Sequence, residues 1–312
     1  MAAAVLTLLI VSMIVFAATE ILPGDAATAI LGRTASAENV AEVRELMGLD
    51  RPAHERYLEW LGGLLQGDLG NSTAGYAQGG ELPIWNDVKG KIANSLLLAG
   101  LTALLMIPVA LLLGVVAGLK AGRTTDHAIS VGSLAVISLP EFVIGSLLIL
   151  VFFAWLDVLP PVSLIPPGEN PLAEPSKLVL PVLTLLGVTT AASARMVRAG
   201  MVDVLRANYV QMARLNGFRE PLVVRRYVIR NALAPSVQVF AQNIQFLIGG
   251  IIVTEFLFSY PGLGKELVDA VNIRDVREVQ SLAMLIAALY IGLNLIADLV
   301  VVLLVPKLRT SV

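Results

Sequence analysis

Four carboxylates lie within or at the ends of long apolar runs: Glu20, Glu141, Glu255 and Asp298. Carboxyl groups at membrane depth are the residues through which ion-coupled carriers bind protons or cations. Other chemistries find less to work with. Gly262-Leu-Gly-Lys265 ends like a phosphate-binding loop, but Ser259 stands where the first glycine belongs and Glu266 where Ser or Thr must follow. The two histidines, His54 and His127, fall on opposite sides of the membrane in the topology derived below, so they cannot share a metal. Cysteine is absent, which excludes disulfides, thiol catalysis and cysteine-ligated metal.

Two further polar sets carry no catalytic pattern, yet both demand an explanation. Arg195 to Pro235 holds eight arginines against Asp203 and Glu220. It is the longest polar interruption in the second half of the chain, so it lies outside the bilayer between two membrane segments, and an arginine excess marks the cytoplasmic side. Charge alone leaves open a basic loop that binds anionic lipid. The second set, Gln238, Gln242, Gln245 and Gly249, recurs at helical spacing with Asn243 alongside and Glu255 further up. A polar stripe on a membrane helix is either interhelical hydrogen-bond glue or the lining of a solute pathway, so Gln238, Gln242, Gln245 and Glu255 are the candidate translocation pathway.

Membrane helices must position these residues. The chain of 312 residues is 56% hydrophobic and 15% charged, with mean hydropathy +0.79, as expected of bilayer-length apolar segments. Six transmembrane helices are predicted, at about 2–22, 94–119, 127–156, 178–194, 235–258 and 279–305, giving an all-α polytopic membrane protein with a single transmembrane domain over 1–312. The first reads as a retained helix, because no basic stretch precedes it and Glu20-Ile-Leu-Pro-Gly-Asp25 is a poor cleavage site. Gly114, Gly118 and Gly122 give the second a smooth contact face, and Pro140 kinks the third beside Glu141. The outer loop 23–91 is partly helical: a run from Ala37 to Met47, then a helix capped by Asp50 with Pro52 in its first turn and Tyr57, Leu61, Leu64 and Leu65 on one face. Loops on the arginine side hold twelve Lys or Arg against three acids, and the opposite loops ten against seventeen. Both termini are therefore expected in the cytoplasm, with loop 23–91 and the loop containing Lys265 outside.

Within the arginine stretch, Gln211-Met212-Ala213-Arg214-Leu215-Asn216-Gly217 resembles the E-A-A-x-x-x-G signature of ABC importer membrane subunits, with Gln211 and Met212 replacing the acidic residue and the first alanine. Gly217 is expected to close one short helix with positive φ, and a second helix to start near Pro221. The run Arg226-Tyr-Val-Ile-Arg-Asn-Ala-Leu-Ala-Pro235 resembles the dipeptide and oligopeptide permease version. So do Leu22-Pro-Gly-Asp25, the stretch from Leu49 to Gly70, Thr254 to Gly264, Arg274-Asp275 and Asn294 to Asp298. The whole chain thus resembles the B-type membrane subunit of a dipeptide or oligopeptide ABC importer.

That resemblance implies the type I importer fold and a multi-pass chain in the cell membrane. It implies an ATPase-coupling role, within the cytoplasmic region 195–234, for Tyr209, Gln211, Met212, Ala213, Arg214, Gly217, Arg225 and Arg226. The implied partners are a related C-type permease subunit, two ATPase subunits or domains, an extracytoplasmic solute-binding protein and membrane lipid, with no nucleic acid. ATP and Mg are expected on the ATPase partners and no cofactor on this chain, which is expected to be a transport subunit and not an enzyme. The implied solute is a peptide, with nickel chelates, glutathione, opines and sugars as alternatives within the family. An ion-coupled carrier built on the four carboxylates is a further reading.

Overall fold

An apolar segment in hydrocarbon must satisfy its own backbone N–H and C=O groups, and runs of this length do so as helices. The computed structural model describes residues 2–21, 27–28, 36–46, 48–77 and 80–304. Leu22-Pro-Gly-Asp25 and the basic residues Lys307 and Arg309 lie outside them. In chain order the helices are α1 (Ala2–Ile21), α2 (Ala37–Leu46), α3 (Ala53–Leu65), α4 (Thr73–Ala77), α5 (Ile84–Leu119), α6 (Thr124–Ile137) and α7 (Glu141–Ile149), the last prolonged by a π turn over Leu150–Trp155. They continue as α8 (Ser176–Leu205), α9 (Asn208–Leu215) and α10 (Glu220–Val223), then a π turn over Val224–Ile229 that runs into α11 (Arg230–Leu257), α12 (Leu263–Asn272) and α13 (Val276–Leu304). Among the described residues the β-type pairing is a single bridge, Asn71 to Pro83.

Five of these helices are long and apolar enough to cross a membrane, and α6 with α7 makes a sixth if that pair, bent by 104°, is one span. The third segment is therefore broken, not merely kinked. Pro140 removes a backbone donor and disfavours helix at Leu139 before it. Two helices also outrun the bilayer. α5 starts at Ile84, not near 94, and its 36 residues extend about 54 Å. α8 continues to Leu205 and so carries Arg195, Arg198 and Asp203 on a helix, where the charge pattern had ended the span at 194.

The chain divides into two compact units, Met1–Ser95, Pro166–Gly168 and Pro261–Gly292 in one, Leu96–Ile165, Glu169–Tyr260 and Leu293–Val312 in the other. In the first, α3 lies on α1: Tyr57 Oη and Ser12 Oγ are 2.9 Å apart, and Phe16 meets the Tyr57 ring edge-on at 5.4 Å. Trp60 is buried there, whereas Leu65, expected on the same face, is 82% exposed. Asp50 does not cap α3. Pro52 occupies that position, and Asp50 pairs with Arg44 at 2.9 Å. Leu69, Ile84, Val88, Leu263, Ala270 and Leu282 form this unit's core, so the expected outer loop around Lys265 contains a packed helix, α12.

In the second unit α8 is the spine, with Leu180, Leu185, Ala194, Val197 and Met201 buried. A β-carbon on Gly114 of α5 would stand 2.5 Å from Val197 Cβ and 2.7 Å from the Ala194 carbonyl oxygen, and one on Gly118 would overlap Met201. These two glycines let α5 and α8 meet backbone to backbone. Gly122 takes no part in that contact. Its φ of 78° closes the turn after α5, with no described residue within 4 Å of an added β-carbon.

Candidate functional site

The arginine stretch folds into a short helical hairpin, α9–turn–α10. Gly217 has φ 79°. Its N–H donates to the Arg214 carbonyl at 2.9 Å and the Phe218 N–H to the Ala213 carbonyl at 3.2 Å, the two bonds of a Schellman ending that glycine permits without a steric penalty. Arg214 then reaches across the turn to Glu220 with a forked pair of bonds, Nε to Oε2 at 3.1 Å and Nη2 to Oε1 at 2.6 Å. That guanidinium holds the Glu220 carboxyl below the ordinary carboxylate range. Phe218 stacks on Tyr227 at 6.1 Å. The inner face is anchored by Val210, Ala213, Val223 and Val228, buried in one cluster with Met106, Ala110, Val197 and Met201.

On the outer side, several large apolar side chains are exposed among polar ones. Met212 is 59% exposed and Leu215 80%, with Tyr209, Phe218 and Leu222 also exposed. Gln211, Gly217, Arg225 and Arg226 are exposed as well. Of the eight residues singled out in this stretch, Ala213 alone faces inward. Its small side chain serves the hairpin's own root, and Arg214 is engaged within the hairpin.

The polar stripe of α11 resolves into two parts. Asn243 donates to Ser193 Oγ on α8 at 2.8 Å and is interhelical glue. Gln238 and Gln242 are exposed and Gln245 half-buried, and none of the three hydrogen-bonds to another described residue. Glu255 does not belong to this stripe: it is fully buried, and ten residues beyond Gln245 it is turned about 80° off that line. Glu141, at the break before α7, accepts from Thr254 Oγ1 at 2.5 Å, and Gly250 leaves room for its carboxylate.

Two polar centres were not seen in the sequence as sites. Asp275 is fully buried and takes five hydrogen bonds. Ser72 Oγ donates at 2.5 Å, Thr73 Oγ1 at 2.6 Å, and the N–H groups of Thr73, Ala74 and Glu278 at 3.0, 2.9 and 3.0 Å. It thereby caps α13 and holds the start of α4. The signal was its place just before an apolar run with Glu278 three residues on. Asp87, Glu266 and Glu278 bring carboxylate oxygens within 4.8 Å of one another. Lys91 occupies that group, with Nζ 2.5 Å from Glu266 and 2.7 Å from Asp87, and burial pushes the Glu266 carboxyl up.

Residues 110–310 match the family described as binding-protein-dependent transport system inner membrane component, and residues 1–79 match the N-terminal part of such membrane components. The chain is 34% identical over 303 residues to the glutathione transport system permease protein GsiC of Escherichia coli O6:H1 (strain CFT073), and equally to that of Pectobacterium atrosepticum (strain SCRI 1043), over 97% of this chain and 95% of each relative. Its GsiC relative in Salmonella typhi is 33% identical over the same span. One solved structure, titled "Crystal structure of an amino acid ABC transporter with histidines", aligns with TM-score 0.50 at 17% identity over 70% of this chain and 92% of that chain, a likeness of fold. An all-helical chain with five or six crossing segments and this family match belongs to the binding-protein-dependent transport system inner membrane components, as a membrane-spanning permease subunit of an ABC importer.

Proposed function

We propose that this permease imports peptides, and that the α9–α10 hairpin is where the ATPase partner docks. The observation that carries the coupling reading is the hairpin's set of exposed apolar side chains, Tyr209, Met212, Leu215, Phe218 and Leu222, built on a rigid turn at Gly217. Large apolar side chains left exposed together on one short hairpin mark a surface for a protein partner. Gln211, Arg225 and Arg226 are exposed around that face and supply its polar rim. In this reading Arg214 and Ala213 build the hairpin, while ATP and Mg are held by two ATPase subunits or domains. The arginine excess supports a cytoplasmic hairpin and cytoplasmic termini, with the first unit's loops meeting an extracytoplasmic solute-binding protein.

The peptide reading is supported by relatives named as glutathione permeases, glutathione being itself a small γ-linked peptide. Gln238, Gln242 and Gln245 offer amide donors and acceptors that the described residues of this chain do not consume, as a pathway shared with a second permease subunit of the C type requires. Polar groups facing lipid would each cost free energy, so the stripe faces protein or water. The test is purification with the co-assembling subunits, followed by reconstitution with ATP and labelled dipeptides, oligopeptides or glutathione. ATP-dependent peptide uptake is expected, and Gln242→Leu should lower it about tenfold with the complex intact, an interaction worth about 1.4 kcal/mol. Uptake of a nickel chelate or sugar in place of any peptide would overturn the solute reading, and dissociation of the complex by Gln242→Leu would overturn the pathway reading.

A further inference from the structure

Asp126 is 1% exposed and sits in the first turn of α6. Its Oδ2 accepts the Gly122 N–H at 2.8 Å and its Oδ1 accepts Ser130 Oγ at 3.2 Å. Both oxygens are also gripped by Arg198 of α8, Nη2 to Oδ2 at 2.7 Å and Nε to Oδ1. Arg198 adjoins Val197, which meets Gly114, and stands three residues before Met201, which meets Gly118. The same two turns of α8 therefore touch α5 through glycines and α6 through a forked ion pair. The core continues without interruption into the hairpin, where Val210 and Ala213 of α9 and Val223 of α10 join Val197 and Met201 in one buried cluster.

Packing of this kind is strong but not directional, and small-residue helix contacts permit the sliding by which packed helices shear. A bidentate arginine–carboxylate pair is directional. Asp126 is buried while the Arg198 side chain is 34% accessible; an ion pair with a buried member adds little net stability once desolvation is counted, and fixing register is among the best-attested uses of such pairs. We propose that the Asp126–Arg198 pair is a positioning device of the transport cycle, locking the 119–126 turn to the end of α8, which the shared buried cluster joins to the hairpin, so that all three move as one block when the ATPase shifts the hairpin. This rests on the coupling reading of the hairpin.

In vesicles containing the assembled importer, ATP hydrolysed is measured per labelled peptide taken up. Asp126→Asn keeps an acceptor for the Gly122 N–H but loses the charge, and Arg198→Lys keeps the charge but loses the fork. Each should raise ATP spent per solute about fivefold or more, the lower end of ordinary coupling free energies, with the amount of assembled complex unchanged. An unchanged ratio in both overturns the proposal, whether or not less complex is recovered. Gly217→Val is run alongside: an unchanged ratio there means the coupling reading has failed, whereas an altered ratio there alone means only the lock has failed. Should either variant not assemble, spin labels at Arg123→Cys and Asn208→Cys of this chain, which has no cysteine of its own, in a complex with Asp126 and Arg198 intact and any partner cysteines replaced, decide the matter. Their separation should be the same with and without trapped nucleotide, and a change between the two states overturns the block.

Discussion

The hairpin around Gly217 and the junction around Asp275 are both built on a tight turn and a carboxylate, yet they are made in opposite ways. In the hairpin, Arg214–Glu220, Phe218–Tyr227 and the two bonds that close α9 all join residues fewer than ten positions apart. Only its inner face is buried, and apolar side chains on the outer side are left uncovered. At the junction, one carboxylate gathers donors from Ser72, Thr73 and Ala74, about two hundred positions away, and nothing of it reaches the surface. A locally determined shape can be pressed against a partner without the rest of the chain being disturbed. The junction instead closes a unit whose segments come from distant parts of the chain, and its groups are used up in doing so.

The largest expected effect falls where five donors depend on one residue. Asp275→Ala would strand the three buried donors, Thr73 N–H, Thr73 Oγ1 and Glu278 N–H, at about 1–3 kcal/mol each, a loss on the order of 5 kcal/mol and beyond what single substitutions usually cost. The variant should accumulate poorly, and its thermal transition in detergent should fall well below that of the wild type. Asp275→Asn, which keeps one acceptor oxygen, should lie between them. A wild-type transition for Asp275→Ala would mean that the junction is not what closes this unit. Gly217→Val should behave differently. Its φ of 79° costs a β-branched residue about 1–3 kcal/mol, but no atom of the described residues lies within 4 Å of an added β-carbon, so insertion and assembly of the membrane helices should survive. ATP-dependent uptake should not, and wild-type uptake by Gly217→Val would erase the functional side of the comparison.

The same contrast explains what the sequence made legible. Gly217 was readable because a Schellman ending is written in consecutive residues, and the all-helical membrane fold because apolar runs record the bilayer directly. Arg214–Glu220 escaped because charge counting treats every arginine in a basic stretch alike. The ends of α5 and α8 were misplaced by ten residues or so for a related reason: hydropathy marks where lipid stops, while a helix continues for as long as one face, here Val88 in α5 or Met201 in α8, still has a core to enter. Glu255 was grouped with the glutamines through proximity in sequence, although ten residues do not bring a helix back to the same face. For Asp275 the flanking pattern was visible, but its partners at 72–74 were not, since nothing local links positions so far apart.

The smallest expected effect tests whether the hairpin's salt bridge shapes the surface or merely decorates it. Arg214 and Glu220 are both solvent-exposed, with side chains 39% and 57% accessible, and exposed pairs contribute about 0–1 kcal/mol. Glu220→Gln should therefore leave assembly intact and raise amide exchange across residues 215–222 only about two- to threefold at pH 7, a fraction of a kcal/mol. The pH dependence has a fixed sign. Arg214 holds the folded-state pKa of Glu220 below its ordinary 4.5, so the pair's contribution is complete above that value and is lost as pH falls through the lowered one. Between pH 7 and 5.5 the wild-type exchange pattern, corrected for intrinsic rates, should stay flat, and it should approach that of Glu220→Gln only as pH falls through the lowered value. The Schellman bonds at Gly217 do not titrate, so Gly217→Val should raise exchange equally at every pH. Convergence of wild type and Glu220→Gln already at pH 6 would mean that some other group holds the turn, and identical exchange at pH 7 would leave the glycine, the Phe218–Tyr227 stack and the buried cluster to organise the hairpin.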